Sequence, residues 1–455
     1  MDTIAAQLAD FATATSYASL PDEVTHQARR CLLDTLGAAL AGGYHSASGR
    51  IIKAVVADFD EPPVATVIGS KLRRSPMTAA LANGVMAHAL ELDDGSKHAT
   101  YHPGTSIIPT ALALGEQLAT DGRGLLTAIV LGYEVSLRIG AAVNPSHYLR
   151  GFHPTGTVAH FGTTVAAAKL LELDAGQLIN ALGLAGSLAS GINQYEADGS
   201  NVKHLHPGNA ARDGILAALL ARAGLTGPEE VIEGRLGFCH CFADEYELSG
   251  ITRGLGETFE FLNIYFKPYC SCRYVHYAIE CTLNILREHP LAYEDIASIR
   301  VLTHRNAKQG SDIPDYRTPL HARTSLQHGI AAILVFGKAS LAEYTEAALQ
   351  DRRLRQLSSK ITIEVDPELQ RQYPDPRPMV VEIRDREGNS YSSRVDYAKG
   401  DPQNPLTDAE LRTKFAEVTD GILDEPAARA IIETVMLADD LDTVADLSRL
   451  LQFGV

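Results

Sequence analysis

The sequence is 455 residues long, enough for two or three domains, and its 45% apolar and 21% charged residues are an ordinary globular mixture. Forty Lys and Arg stand against 56 Asp and Glu, a net charge of −16. That balance argues against nucleic acid or an anionic membrane as partner, while leaving room for a small anion in a locally basic pocket. The N-terminal stretch MDTIAAQLADFATA carries two acids and no basic run, unlike a secretory signal. The most apolar stretch, Leu125 to Gly132, is far shorter than the roughly 20 residues that cross a bilayer, so no membrane contact and a cytoplasmic location are expected.

From the start to about residue 250, Ala, Leu and Gly recur at three- and four-residue intervals between short turns, which is a helical pattern. Leu20-Pro21-Asp22 opens a helix predicted over Glu23 to Gly42, and Thr120-Asp121-Gly122 separates two more. Asp174 is placed to cap a helix reaching about Ser190. Small residues (Ala166 to Ala168, Ala181, Gly183, Ala185, Gly186) call for close helix–helix approach, so this region reads as an all-α bundle. One short β-like piece, Val64 to Ile68, is the exception.

After about residue 265 the texture changes. Ile299 to Thr303 and Ile361 to Val365 alternate as strands do, and Met379 to Ile383, a turn over Arg384 to Asn389, and Tyr391 to Val395 read as a hairpin. Helical patterns over Tyr277 to Glu288, Ser325 to Phe336 and Leu341 to Leu349 lie among them. Helices return over Ala409 to Thr419 and Glu425 to Leu437. The expected fold is therefore mainly α: a large helical domain from both chain ends (1–264 plus 398–455) with a smaller α+β domain (265–397) inserted. A cleft between two such domains is a natural ligand site.

The six cysteines, Cys31, Cys239, Cys241, Cys270, Cys272 and Cys281, include two C-x-C pairs. Thiolate metal sites favour C-x₂-C or wider spacing, so free, partly buried thiols in a reducing compartment are the better reading. Asp93, Asp94, His98 and His102 could in principle take a divalent ion, but Pro103-Gly104 makes the stretch a loop where the two histidines share no helix face. No metal and no cofactor is expected. The dinucleotide, P-loop, zincin and nucleophile-elbow motifs are all absent from the sequence.

Half of the 16 histidines fall between residues 88 and 206. Several lie in Gly/Pro-containing breaks between helices: Glu91 to Gly104 with His98 and His102, Gly151 to Gly156 with His153, and Lys203 to Gly208 with His204 and His206. Taken singly, a histidine is more often structural than functional. Three clusters in the same kind of helix-entry loop point instead to a shared anion site, because helix N-termini offer unpaired N–H groups and a positive dipole. Lys203 reads either as a solvated surface lysine or as part of that site. A fourth cluster, Lys267 to His276, brings Arg273, Tyr274 and His276 to the predicted domain junction, with Tyr269 and Tyr274 also suited to packing.

At these residues the chain resembles the MmgE/PrpD family, which includes 2-methylcitrate dehydratases, cis-aconitate decarboxylases and an iminodisuccinate epimerase. The likeness covers essentially the whole chain. It is carried by Ala87 to Asp94 with His102-Pro103, Gly151 to Pro154, Lys203 to Ala211, Lys267 to Tyr274, and Lys399 to Leu406. The resemblance implies a helical domain with an α+β lid, a homodimer, and a cofactor-free site between the domains. It assigns catalytic roles to Glu91, His102, His153, Lys203 and His276 and a substrate position to His328; from the same loops, Asp93, His206, Arg273 and Tyr274 are expected around the substrate, with Arg273 suited to hold a carboxylate. His328 occupies a position where the decarboxylases carry tyrosine. The family's acidic position, often Asp, is Glu91 here, and the loop from Asp94 to His102 is about one residue longer than in the decarboxylases; both features tell against decarboxylation.

The implied chemistry is removal of a proton beside a carboxylate, with cations stabilising the enolate-like product and a histidine moving the proton. Dehydration of a 2-methylcitrate-like tricarboxylate is the leading expectation. Decarboxylation of a cis-aconitate-like acid, epimerisation of a dicarboxylate, and a non-catalytic helical binding protein are the alternatives.

Overall fold

The computed structural model describes residues 2–454. Helix takes up 59% and strand 9%, so the fold is mainly α. The chain divides into two compact units. The first holds the residues up to Ala89, then Asp93–Tyr265, then those from Thr407 on. The second holds Leu90–Leu92 and Phe266–Leu406.

The first unit is a bundle around the helices Asp22–His45, Pro76–His88, Gly104–Leu118, Gly122–Val143, Ala159–Leu170 and Leu205–Arg222. Its axes approach closely because glycines face each other. A Cβ on Gly132 would lie 2.8 Å from the Gly162 carbonyl oxygen, and one on Gly162 would lie 2.7 Å from that of Gly132. Gly84 similarly abuts Gly208. Asp174 caps Ala175–Leu188 through a reciprocal bond with Gln177. Asp22–His45 outruns the predicted helix by three residues at its C-terminal end, and the β-like piece survives only as Ala65–Thr66 paired with Arg73–Arg74.

One expectation needs correction. Gly122–Val143, 22 residues, is long and apolar enough to cross a membrane by length and composition. Its apolar window is 94% buried within the protein, which makes it a core helix. The charges that interrupt the apolar run in sequence, Glu134 and Arg138, pair at 2.5 Å one turn apart. Arg138 also donates to the carbonyls of Arg253 and Thr258.

The second unit carries a four-stranded sheet in the order Ile361–Val365, Ile296–Thr303, Met379–Asp385, Ser390–Val395. The first pair is parallel and the other two are antiparallel, with Val301 opposite Ile363 on one side and Val381 on the other. Alternation explains its two faces. Ile299, Val301, Val381 and Ile383 enter a core with Tyr277, Cys281, Ile285 and Ile330, while Arg300 pairs with Glu364 and Glu382 on the solvent side. The helices Arg273–Glu288 and Leu326–Phe336 supply the covering residues. The single helix expected over Leu341 to Leu349 is instead two 3₁₀ turns, Leu341–Tyr344 and Ala348–Gln350. The Ser340–Glu343 capping box closes the first turn, and Thr345 is extended, which ends it.

Candidate active site

In the first unit the site is built on the break between Pro76–His88 and Gly104–Leu118. The two-residue strand Gly95–Ser96 pairs with Ile264–Tyr265, and Ser96 bridges back to Tyr101, so a short hairpin presents His102. Gly95 permits this: a Cβ there would meet the Tyr265 hydroxyl at 2.4 Å and His102 Nδ1 at 3.1 Å. Asp94 fastens the next helix, accepting from the Gly104 N–H at 3.0 Å and from the Tyr133 hydroxyl at 2.7 Å.

His102 Nδ1 lies 2.6 Å from the Asp94 carbonyl and 3.1 Å from Asp93 Oδ2. A carbonyl only accepts, so Nδ1 carries the proton and Nε2 keeps its lone pair. His88 Nδ1 sits 2.9 Å from the same Asp93 oxygen. One buried carboxylate thus orients two imidazoles. The ring of His88 stacks on His153 at 5.7 Å, and His153 Nδ1 meets His206 Nδ1 at 2.9 Å. That contact needs one donor and one acceptor, hence at least one neutral ring. Burial, then the neighbouring His88, pulls both below the ordinary histidine range, His206 to about 4. Lys203 adds to this depression from above the Tyr195 ring, with its ammonium 5.8 Å from the ring centre, and Tyr195 in turn packs on His153. The structure therefore brings together Asp93, His102, His153, Lys203 and His206. His98, on the same loop, turns away to Glu260 and is half exposed.

Five expected residues belong to the second unit. Glu91 is buried in a left-handed backbone conformation (φ 55°) and pairs with Lys267 at 3.3 Å. A non-glycine residue held there is strained, a feature that gathers at functional sites. His328 is fully buried; its Nε2 donates to the Glu343 carbonyl and burial pulls it to about 4, so it is neutral. The other three are engaged with neighbouring groups. Arg273 uses Nε and both terminal nitrogens on Asp401, the Ala398 and Lys399 carbonyls and His276, so it anchors the 398–401 loop. His276 has both ring nitrogens engaged, accepting from Arg273 and donating to the Ser271 carbonyl. Tyr274 is a packing residue among His304, Tyr373 and Arg377.

Models of the MmgE/PrpD N-terminal domain and the MmgE/PrpD C-terminal domain match residues 6–250 and 269–440. The chain belongs to the MmgE/PrpD family. Among its relatives, the cis-aconitate decarboxylase-like protein oryM of Aspergillus oryzae is 29% identical over 98% of this chain and 96% of its own. Human cis-aconitate decarboxylase is 28% identical over 95% and 91%, respectively. The 2-methylcitrate dehydratase of Escherichia coli is 25% identical over 77% and 75%.

Within this family frame, sequence reasoning missed His88, Tyr133, Tyr195 and Lys267. His88 had a signal, since it stands five residues before Asp93 where a helix ends. Tyr133 had none: it reaches Asp94 from the middle of another helix, 39 residues away. Among the described residues no group of three His, Cys, Asp or Glu side chains is disposed to hold a metal ion.

Proposed function

We propose that this chain is a lyase that moves a proton on a carbon beside a carboxylate of a small polycarboxylic acid, and that its reaction is dehydration of a 2-methylcitrate-like tricarboxylate. The observation that carries this reading is the Asp93 carboxylate behind His102 Nδ1, which leaves Nε2 as a base. His102 Nε2 takes the α-proton, and Asp93 stabilises the imidazolium that results. The Lys203 ammonium offsets charge on the enolate-like intermediate. The C–O bond then breaks, a C=C bond forms, and the hydroxide departs with a proton as water.

A second reading, decarboxylation, draws on the relatives. The cis-aconitate decarboxylases match over 95–99% of the chain, while the 2-methylcitrate dehydratases match over 77%. There a C–C bond breaks, CO₂ leaves, and the carbanion takes a proton. Glu91 in place of the usual Asp and the longer 94–102 loop favour dehydration.

The test is incubation of the purified chain with 2-methylcitrate, citrate and cis-aconitate in D₂O, with and without chelator, followed by NMR. Alkene signals arising from a hydroxy acid support dehydration. Loss of CO₂ from cis-aconitate would replace it with the second reading, and α-deuteration without elimination would point to epimerase chemistry. Inert substrates throughout would sink both lyase readings.

A further inference from the structure

Behind His102 lie two buried carboxyls that take no part in the proton transfer above, Asp94 and Asp34. Asp94 carries the His102 hairpin: its backbone carbonyl accepts the Nδ1 proton, and its carboxyl oxygens accept from the Gly104 N–H and the Tyr133 hydroxyl. Asp34 stands on the helix Asp22–His45. It is paired at 2.5 Å with the ammonium of Lys414, itself buried, on the helix Asp408–Val418. The partners are 380 residues apart in the chain, yet all of these groups belong to the first unit.

Charge decides how the two carboxyls share this space. The titratable groups around Asp94 are Cys31 and Asp34 on one helix, Tyr133 on another, and Asp93, Tyr101 and His102 on its own loop. Burial holds the protons of Cys31, Tyr101 and Tyr133 in place. Two buried like charges disfavour each other, so the carboxyl without a cation keeps its proton more readily. Lys414 settles which one that is. Its ammonium keeps Asp34 ionised, and burial together with the Asp34 charge pushes the Asp94 carboxyl up to about 7. The acid proton has a place to go, because the Tyr133 oxygen is 2.7 Å from Oδ2 and the Cys31 thiol lies within hydrogen-bonding reach of both residues. The consequence reaches His102, whose ring already has Asp93 at 3.1 Å. A second anion beside the first would hold the imidazole protonated and deny the reaction its base.

We propose that Asp34 and Lys414 are positioning residues for the reaction: their ion pair makes Asp94 hold the His102 hairpin as a neutral acid, so that Asp93 is the carboxylate that alone charges the His102 ring. This rests on the reading of His102 as the base. It gives the C-terminal helix Asp408–Val418 a part in the chemistry, although no residue of that helix touches the substrate.

The test is infrared titration of the full chain, in which a protonated carboxyl absorbs apart from carboxylates. The wild-type protein should show a protonated-carboxyl band that Asp94→Asn removes and that is lost around pH 7. Lys414→Met alone would strand Asp34 as an unpaired buried charge. Asp34→Asn combined with Lys414→Met replaces the pair by neutral groups of similar size and is the variant to read. In it the midpoint of the Asp94-dependent band should fall by about one pH unit or more, since the like charge is gone while the Gly104 and Tyr133 donors remain. On whichever acid the chain turns over, the acid limb of kcat/KM should move up by about one unit, with wild-type values regained on the alkaline side. Loss of a merely structural contact would lower kcat/KM at every pH. Arg29→Gln breaks the 2.6 Å pair with Asp439, which ties the same helix to the C-terminal stretch, and should move neither readout. A wild-type protein without the Asp94-dependent band, an unchanged midpoint in the double variant, or an unmoved acid limb would overturn the proposal. A midpoint that falls in a chain that turns over none of the acids would support the proton placement and refute the lyase reading instead.

Discussion

At the residue scale, the working unit is one carboxylate shared by two imidazoles. Asp93 fixes the tautomer of His102, so removing either member should damage the same step. His102→Asn keeps size and some hydrogen bonding but cannot shuttle a proton; kcat should fall about 10²–10⁴-fold with little change in Tm. Asp93→Asn should also lower kcat, since the amide carries no charge to stabilise the imidazolium, although the Asp94 carbonyl still holds the Nδ1 proton. A kcat within twofold of wild type for His102→Asn, measured on whichever acid the chain turns over, would remove this residue from the mechanism. Asp94 makes a separate prediction. Burial, reinforced by Asp34, raises its carboxyl to about 7. The folded value exceeds the unfolded one of about 3.9, so the folded form binds the proton more tightly. That carboxyl's contribution is then fullest below about pH 4 and is lost as pH rises to about 7, by on the order of 4 kcal/mol, against the opposite slope of the buried His206 and His328, whose lowered values favour folding as pH rises. Asp94→Asn can still accept from Gly104 and donate to Tyr133, and its Tm should rise more steeply between about pH 4 and 7 than that of wild type. An unchanged slope would assign the titration to another group.

At the element scale, the first unit depends on helix axes that approach at glycines. Gly132→Ala places a methyl 2.8 Å from both the Gly162 carbonyl oxygen and Ile107 Cγ2. Backbone on one side and a fixed helix on the other leave little room to yield, so a loss of about 1–3 kcal/mol is expected in urea unfolding. Gly250→Ala meets no atom within 4 Å and serves as the control. The composition of these helices already pointed to such contacts, and Asp174, the sheet strands and the hairpin were legible because each rests on a local pattern. Two features were not. The helix after Thr120-Asp121-Gly122 was expected, but its buried span to Val143 runs well past the apolar stretch Leu125 to Gly132, because Glu134 and Arg138 neutralise each other within it. The turn at Leu341–Tyr344 looked helical because its apolar spacing suits a helix, while its end is set by the extended backbone at Thr345.

At the scale of the whole molecule, the sequence shows which loops carry chemistry better than it shows which side chains are uncommitted. Arg273 stands beside a histidine and tyrosines and reads as a substrate ligand, and only the fold shows that it also holds Asp401, 128 residues away. Tyr344 sits in no His-Pro-Gly motif, and the fold alone packs its ring on His328. Net charge, by contrast, belongs to the sequence alone and carries the last prediction. A chain at −16 repels a trianionic acid at long range. The screening length is roughly 30 Å at 0.01 M salt and 8 Å at 0.15 M, so the far field acts in the first condition and is largely gone in the second. Contacts inside a closed site are screened much less. Raising salt across that range should therefore increase kcat/KM severalfold, through faster encounter, while kcat at saturation stays nearly constant. Viscosity-matched stopped-flow or initial-rate measurements separate the two. If kcat/KM falls as salt rises, local cations such as Lys203 outweigh the acidic surface and steer the substrate inward.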